Sequence, residues 1–352
     1  MKERNIGIDL LRIISMMGIV MLHLLKDSGL LEFDADNITK WSIVWVVEII
    51  VFCSVNVFGI ISGFVGVNSN YNYSRMVEIW IQMLFYLYCF FALSKIINTS
   101  YQYTLKDIIF PINSNYYWYV TAYAGLFLFI PLLNIGINNI DIKTFRIMLI
   151  FVLIFMCLIP CVVHSDPYQI NAGYSCLWII ICYLIGGYIN KSCIYQKKRY
   201  RTLIFFMVLS VLILVVSKLG VDLLLYKISG QAHGGGTFVS YVSPFIVLNA
   251  AIIVCVFAKL KIKHAISTKI IKTITPTVLG VFLIHANPVF GELLFYRSAQ
   301  SLKKVDGAFL PIVIIGYTIM VFITCSIIDF TRNILFEILR IKKIIRRIDK
   351  NL

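Results

Sequence analysis

The stretch "IDLLRIISMMGIVMLH", residues 8–23, is an almost unbroken apolar run that nevertheless carries Arg12 and His23. Hydrocarbon accepts such groups reluctantly: a charge at the centre of a membrane helix costs about 2.5–3.5 kcal/mol on insertion scales. Eleven positions separate the two residues, which at about 100° per residue is about three turns plus 20°. They therefore share one helix face, about 16 Å apart along the axis.

The same apolar pattern recurs along the rest of the chain. Sixty per cent of the 352 residues are apolar and only 14% are charged, and runs of about twenty apolar residues follow one another to its end. This excludes a soluble globular enzyme and predicts an all-α polytopic membrane protein. The first run is too long for a secretory h-region and has no small-residue cleavage site, so it is expected to persist as the first transmembrane helix. Ten helices are expected, near 6–25, 42–67, 76–97, 117–135, 146–163, 174–189, 202–217, 238–258, 270–296 and 308–331. They would form one transmembrane domain, 1–335, followed by a basic tail, 336–352.

Basic residues outside these runs set the expected orientation. With the N-terminus inside, 22 fall in cytoplasmic segments and nine on the opposite side, Arg12 being set aside as intramembrane. That asymmetry places both termini in the cytoplasm. It also accounts for the net charge of +15 without a nucleic-acid partner, because the excess lies in short loops such as "KSCIYQKKRYR" (191–201) and in the tail "RIKKIIRRIDK" (340–350). The tail is expected to rest on the anionic headgroups of the lipid bilayer. The nine cysteines fall almost wholly inside apolar runs, without the paired spacing of a zinc site, so no metal is expected. There is no P-loop, no dinucleotide-binding glycine pattern and no soluble domain, so any chemistry must be housed among the helices.

Two readings of Arg12 and His23 remain open on the residues themselves. In one, Arg12 snorkels to the cytoplasmic headgroups, neutralised by Asp9 one turn earlier, while His23 sits near the outer interface. In the other, the pair spans an extended anionic substrate such as an acyl-CoA, with Arg12 on phosphate and His23 at the thioester. A neutral imidazole with an unperturbed pKa of about 6.5 can take a proton from a hydroxyl or be acylated itself.

The stretch resembles the first-helix signature of the acyltransferase-3 family of integral membrane acyltransferases: Arg, ten residues, then His, often with Asp three residues before the Arg. Asp9, Arg12 and His23 match it. The resemblance continues through "VNVFGIISGFVGV" (55–67), Arg75 at the start of helix three, "YWYVTAYAGLFLFIPLLN" (117–134), "SYVSPFIVLNA" (240–250) and "GVFLIHANP" (280–288), and so spans nearly the whole chain. Two departures are visible. Phe282 stands where a tyrosine often precedes Leu-Ile-His, and the arginine cluster of many relatives at helix three is Arg75 alone.

The resemblance implies a stand-alone, multi-pass enzyme of the cell membrane that moves an acyl group, commonly acetyl, from acetyl-CoA or another cytosolic acyl-CoA. The implied acceptor is a hydroxyl of a polysaccharide or other envelope glycan. His23 would be catalytic, with His285 orienting His23 or the substrate. Arg12 and Arg75, with Asp9, would hold the CoA, and Trp118 and Tyr123 could stack on a sugar. A lipid, antibiotic or amino-acid acceptor, or transport without chemistry, stands as the alternative. "HGGG" (233–236) lacks the strand and nucleophile elbow of a lipase oxyanion hole and reads as a flexible acceptor-side loop.

Overall fold

The computed structural model describes residues 4–345 and 347, apart from 98, 100, 102, 105, 106, 108, 112–116, 233 and 293–295. Regular structure among the described residues is helical throughout. Helix α1 (Ile6–Ser28) starts where the Asn5 side chain accepts from the Ile8 amide, and ends at Gly29, whose φ of 69° is the left-handed conformation that stops a helix. Then follow α2 (Ile38–Phe52), α3 (Ser54–Gly66), α4 (Ser74–Ile97), α5 (Trp118–Asn139) and α6 (Ile142–Leu153). The chain continues with α7 (Cys176–Ser192), α8 (Tyr200–Ser229), α9 (Pro244–Lys259), α10 (Ala265–Ile274), α11 (Val278–His285) and α12 (Leu310–Ile338).

Among the described residues, eight spans are long and apolar enough to cross a bilayer: α1, α2 with α3, α4, α5, α6 continued to Val163, α8, α10 with α11, and α12. The shorter apolar helices α7 and α9 complete the match to the ten expected runs. The chain is a multi-pass membrane protein. Its centre is α1, of whose apolar window 72% is buried, against 17% for α6 and for α8, which turn most of their apolar surface outward to lipid. Around α1 pack α2, α3, α9, α10, α11 and α12.

Hydrocarbon offers no hydrophobic drive between helices, so close backbone approach takes over. At the α3–α7 crossing, a Cβ added to Gly63 would lie 1.9 Å from the Tyr183 carbonyl oxygen, and one on Gly186 would lie 1.9 Å from that of Ile60. Lys191, at the end of α7, closes the neighbouring helix: its ammonium donates to the carbonyls of Ile137 (2.6 Å), Asn138 (2.8 Å) and Ile140 (2.5 Å) at the end of α5. Asp141 then starts α6, where hydrogen bonds from Thr144, and more weakly from Lys143, hold its carboxyl below the usual range.

Four boundaries differ from expectation. Helix α8 runs to Ser229 rather than 217. Lys218, counted as an outer-loop charge, lies buried inside α8 with its Nζ 2.6 Å from Asp222 Oδ2 and over the Trp45 ring at 3.8 Å. A neutralised i,i+4 pair lets the helix continue where a lone lysine would end it. Arg332 is likewise no loop residue: it is buried in α12 and paired with Asp329. Setting both aside leaves 21 basic residues against eight in the count from sequence, so the asymmetry survives. The expected helix over 270–296 breaks at the turn Thr275–Thr277, which contains Pro276, and α11 ends at His285. The expected span 42–67 is jointed at Cys53. After α12 a short helix, Ile341–Ile345, begins the basic tail; residues 346 and 348–352 lie outside the described residues.

Candidate active site

One stripe of α1, carrying Arg12, Met16, Ile19 and His23, walls a cavity of about 390 Å³. Steps of four, three and four residues keep these side chains on one face. Opposite stand Val55, Phe58 and Ser62 of α3 and Trp118, Tyr119 and Tyr123 of α5. The turn at Pro276 and the start of α11, with Leu279 and Phe282, close one side, and Tyr241 enters from the segment before α9. An apolar cavity with a few convergent polar groups is the usual form of a small-molecule site.

The polar groups separate to two ends. At the first, Arg12 Nη1 donates to Asp9 Oδ1 at 2.7 Å, and Arg4 Nε pairs with the other carboxylate oxygen. Asp9 is almost wholly covered, its side chain 3% exposed, whereas Arg12 is 29% and Arg4 50% exposed. The carboxylate thus sits behind two guanidiniums and holds them at the surface, leaving a net positive charge and unused N–H donors. Asp9 itself does not line the cavity. Arg4 entered the sequence reading only as a loop charge; its five-residue spacing from Asp9 was the available signal. Arg75 is exposed at the start of α4 and outside the cavity lining.

At the second end, the His23 and His285 rings lie 5.0 Å apart at 44°. His285 is buried, with Nδ1 2.6 Å from the Val281 carbonyl. A carbonyl can only accept, so Nδ1 carries the hydrogen and Nε2 presents a lone pair, which has no partner among the described residues. The helix end beneath is clamped by polar contacts. Asn287 donates to Tyr117 Oη at 3.1 Å and accepts from Tyr103 Oη at 2.8 Å, and Tyr117 donates to the Leu283 carbonyl at 2.8 Å. Asn287 and Tyr117 had no assigned role; the Asn-Pro pair after His285 was the signal that α11 stops there.

Aromatic rings line the space between. Trp118 lies 6.2 Å from Tyr241 with near-parallel planes and 4.5 Å from Tyr174, and Tyr119 lies 6.5 Å from Tyr123 at 15°. The Tyr119 hydroxyl is buried with no partner among the described residues. Burial, then Tyr174, then Glu48, push the Tyr241 phenol well above its usual range. Of the glycine-rich stretch, His233 lies outside the described residues, and the Gly235 amide is committed to Asp222 Oδ1 at 2.7 Å, tying the segment to α8.

A family model described as an acyltransferase domain matches residues 5–329, taking in both ends of this cavity. Comparison with curated proteins and with solved structures found no match. On the strength of the family match, which covers nearly the whole chain, the protein belongs to the acyltransferase-3 family and is a membrane acyltransferase.

Proposed function

We propose that this acyltransferase moves an acyl group, acetyl in the first instance, from a cytosolic acyl-CoA to a hydroxyl of a cell-surface polysaccharide or envelope glycan at the cell membrane. The observation that carries the reading is that Arg12 and His23 stand on one wall of a single cavity, three turns apart, with Arg12 at one end and His23, backed by the His285 ring, at the other. An acyl-CoA has the same polarity, anionic phosphates joined by an extended arm to a thioester.

In this mechanism Arg12, with Arg4 held alongside through Asp9, grips phosphate oxygens. A ring nitrogen of His23 takes the proton of the acceptor hydroxyl as its oxygen attacks the thioester carbonyl. The tetrahedral intermediate collapses with cleavage of the C–S bond. The imidazolium returns its proton to the departing thiolate, leaving the ester and free CoA. The free lone pair of His285 Nε2 is suited to receive an N–H from His23 and so to fix its tautomer. Trp118 and Tyr123 would offer ring faces to a sugar.

The direct test incubates the purified protein with radiolabelled acetyl-CoA and candidate glycans. Label appearing in the glycan as an alkali-labile ester supports the reading, and an intact thioester with label only carried across the membrane supports transport instead. The donor must also approach from the cytoplasm, which requires cytoplasmic termini. A reporter fused after Leu352 should be active only in its cytosolic form; strong activity of an export-dependent reporter there would reverse the orientation.

Arg12→Ala is expected to raise the KM for acetyl-CoA by about 10–100-fold, the scale of a lost charge-assisted hydrogen bond, with kcat little changed because the contact persists from ground to transition state. Arg12→Lys should recover only part of this, since the ammonium lacks the planar fork. A fall in kcat with unchanged KM would remove Arg12 from the donor site.

A further inference from the structure

Helices α7 and α9 have 17 and 16 residues, fewer than the about 20 that a bilayer core needs. The segments before them, 164–175 and 238–243, fold in against the bundle. Asn56 of α3 donates to the Tyr241 carbonyl at 2.7 Å and accepts from Trp178 Nε1 at 3.0 Å. Gly173, at a φ of 100°, comes so near that a Cβ there would lie 2.5 Å from Tyr241 Cβ. Irregular backbone persists inside a membrane bundle only where protein buries it or where it lines a wet cavity. Because successive spans alternate in direction, the end of α1, Val163 and the starts of α5, α7 and α9 share one face, the one nearer His23 than Arg12.

Two cavities meet at Tyr241. Its own side chain lines the main one with Trp118 and His23. Its neighbours Ser240 and Val242 line a second, of about 210 Å³, together with His164, Ser165 and Asp166. Tyr174 adjoins both: it stands two positions after Ala172, a wall residue of the second cavity, and its ring lies 4.5 Å from Trp118 and 5.2 Å from Tyr241. It is 46% exposed, so part of the ring is open to a ligand. The loop that carries it is held in a costly shape. His164, Gln169, Asn171 and Ala172 have φ values of 51–55°, a left-handed conformation that costs a residue with a Cβ about 1–3 kcal/mol and gathers at ligand clamps. Asp166 pins the loop by accepting from the amides of Ile170 (2.8 Å) and Asn171 (2.6 Å). A carboxylate has about four lone-pair sites, so acceptor capacity remains for the hydroxyls of a ligand.

We infer that the second cavity is a saccharide subsite beside the one at His23. A neutral glycan chain that presents a hydroxyl of one sugar to His23 crosses the Tyr174 ring and sets a neighbouring sugar against Ser165, Asp166 and Ser240. The inference rests on the glycan reading above and deepens it, making the acceptor a chain of linked sugars rather than a single one. Sugar hydroxyls donate to the Asp166 carboxylate, a C–H face lies on Tyr174, and the Asp166 charge disfavours an acidic chain. These residues bind and position the acceptor and take no part in the proton transfer.

The test measures kcat/KM of the purified full chain, with acetyl-CoA as donor, on malto-, cello- and N-acetylchito-saccharides of increasing length from the single sugar. In a series that the wild type acetylates, lengthening the acceptor from one unit to three should raise kcat/KM by about 10-fold or more, the worth of one or two hydrogen bonds. Tyr174→Ala removes the ring and Ser165→Trp fills the second cavity; each should reduce that gain to about 3-fold or less, while Tyr174→Phe, which keeps the ring, should retain it. Calorimetric binding of acetyl-CoA, at the other end of the main cavity, checks that the variants fold. A wild type that acetylates single sugars as well as chains, or a gain that persists in either Tyr174→Ala or Ser165→Trp, overturns this inference and leaves the glycan reading standing. Acetylation of no saccharide of any length overturns the glycan reading, and this inference with it.

Discussion

His23→Ala is expected to leave acetyl-CoA binding by calorimetry intact while turnover falls by about 10²–10⁴-fold, the size of a general acid–base contribution. In the proposed mechanism the donor's phosphates are held three turns away at Arg12, so removing the imidazole would take away no phosphate contact, and the loss would fall on the step in which the hydroxyl proton moves. His23 stands in the cavity wall beside His285, whose Nδ1 is engaged by the Val281 carbonyl and whose Nε2 has no partner among the described residues. His285→Ala should therefore reduce kcat by less than His23→Ala, and His285→Gln, which keeps a polar group there, should recover part of the loss. If His23→Ala, folded and binding acetyl-CoA, turns over at the wild-type rate, the proton-transfer mechanism is wrong and His23 is an interfacial side chain.

Asp329→Ala should lower stability by about 3–5 kcal/mol, the usual cost of removing one partner from a buried ion pair. Asp329 is fully buried and accepts five hydrogen bonds: from Gln82 (3.0 Å) and Tyr86 (2.7 Å) of α4, two from Arg332 (2.9 and 3.0 Å), and one from Asn333 (3.0 Å). It is the node joining α12 to α4. Truncation strands the Arg332 guanidinium, which among the described residues has no other carboxylate bonded to it. Thermal unfolding in detergent should show a fall of roughly 6–20 °C on the scale of mid-sized soluble domains. The pair variant Asp329→Leu with Arg332→Leu should regain part of it, because both charges then leave together. A melting temperature equal to wild type in Asp329→Ala would show that the network is dispensable.

Much of the architecture was legible because hydrocarbon imposes a simple rule. A spanning helix needs about twenty apolar residues, so span count and class follow from composition, and the covalent spacing of Arg12 and His23 put both on one face before any packing was known. Where charges neutralise each other across turns, that rule misreads. Lys218 looked like a helix end and Arg332 like a loop, because composition counts a buried pair as two exposed charges. The kink at Pro276 and the stop at His285 were signalled locally by proline, but their consequence, a histidine brought within 5.0 Å of His23, was not.

By itself the sequence determined the membrane class, the number of apolar runs, the family signature and one wall of the cavity, since each depends on neighbours along the chain. Only the tertiary structure decided which helices supply the other walls, that Arg4 joins Arg12 through Asp9, that Asp329 ties α12 to α4, and that Glu48 Oε2 has no hydrogen-bond partner among the described residues while three other buried carboxylates are paired. A partner hundreds of residues away, such as Asn56 for the Tyr241 carbonyl or Asn287 for Tyr103, leaves no periodic trace in the chain. Periodicity reports which face of a helix is buried; what it is buried against depends on how the helices pack.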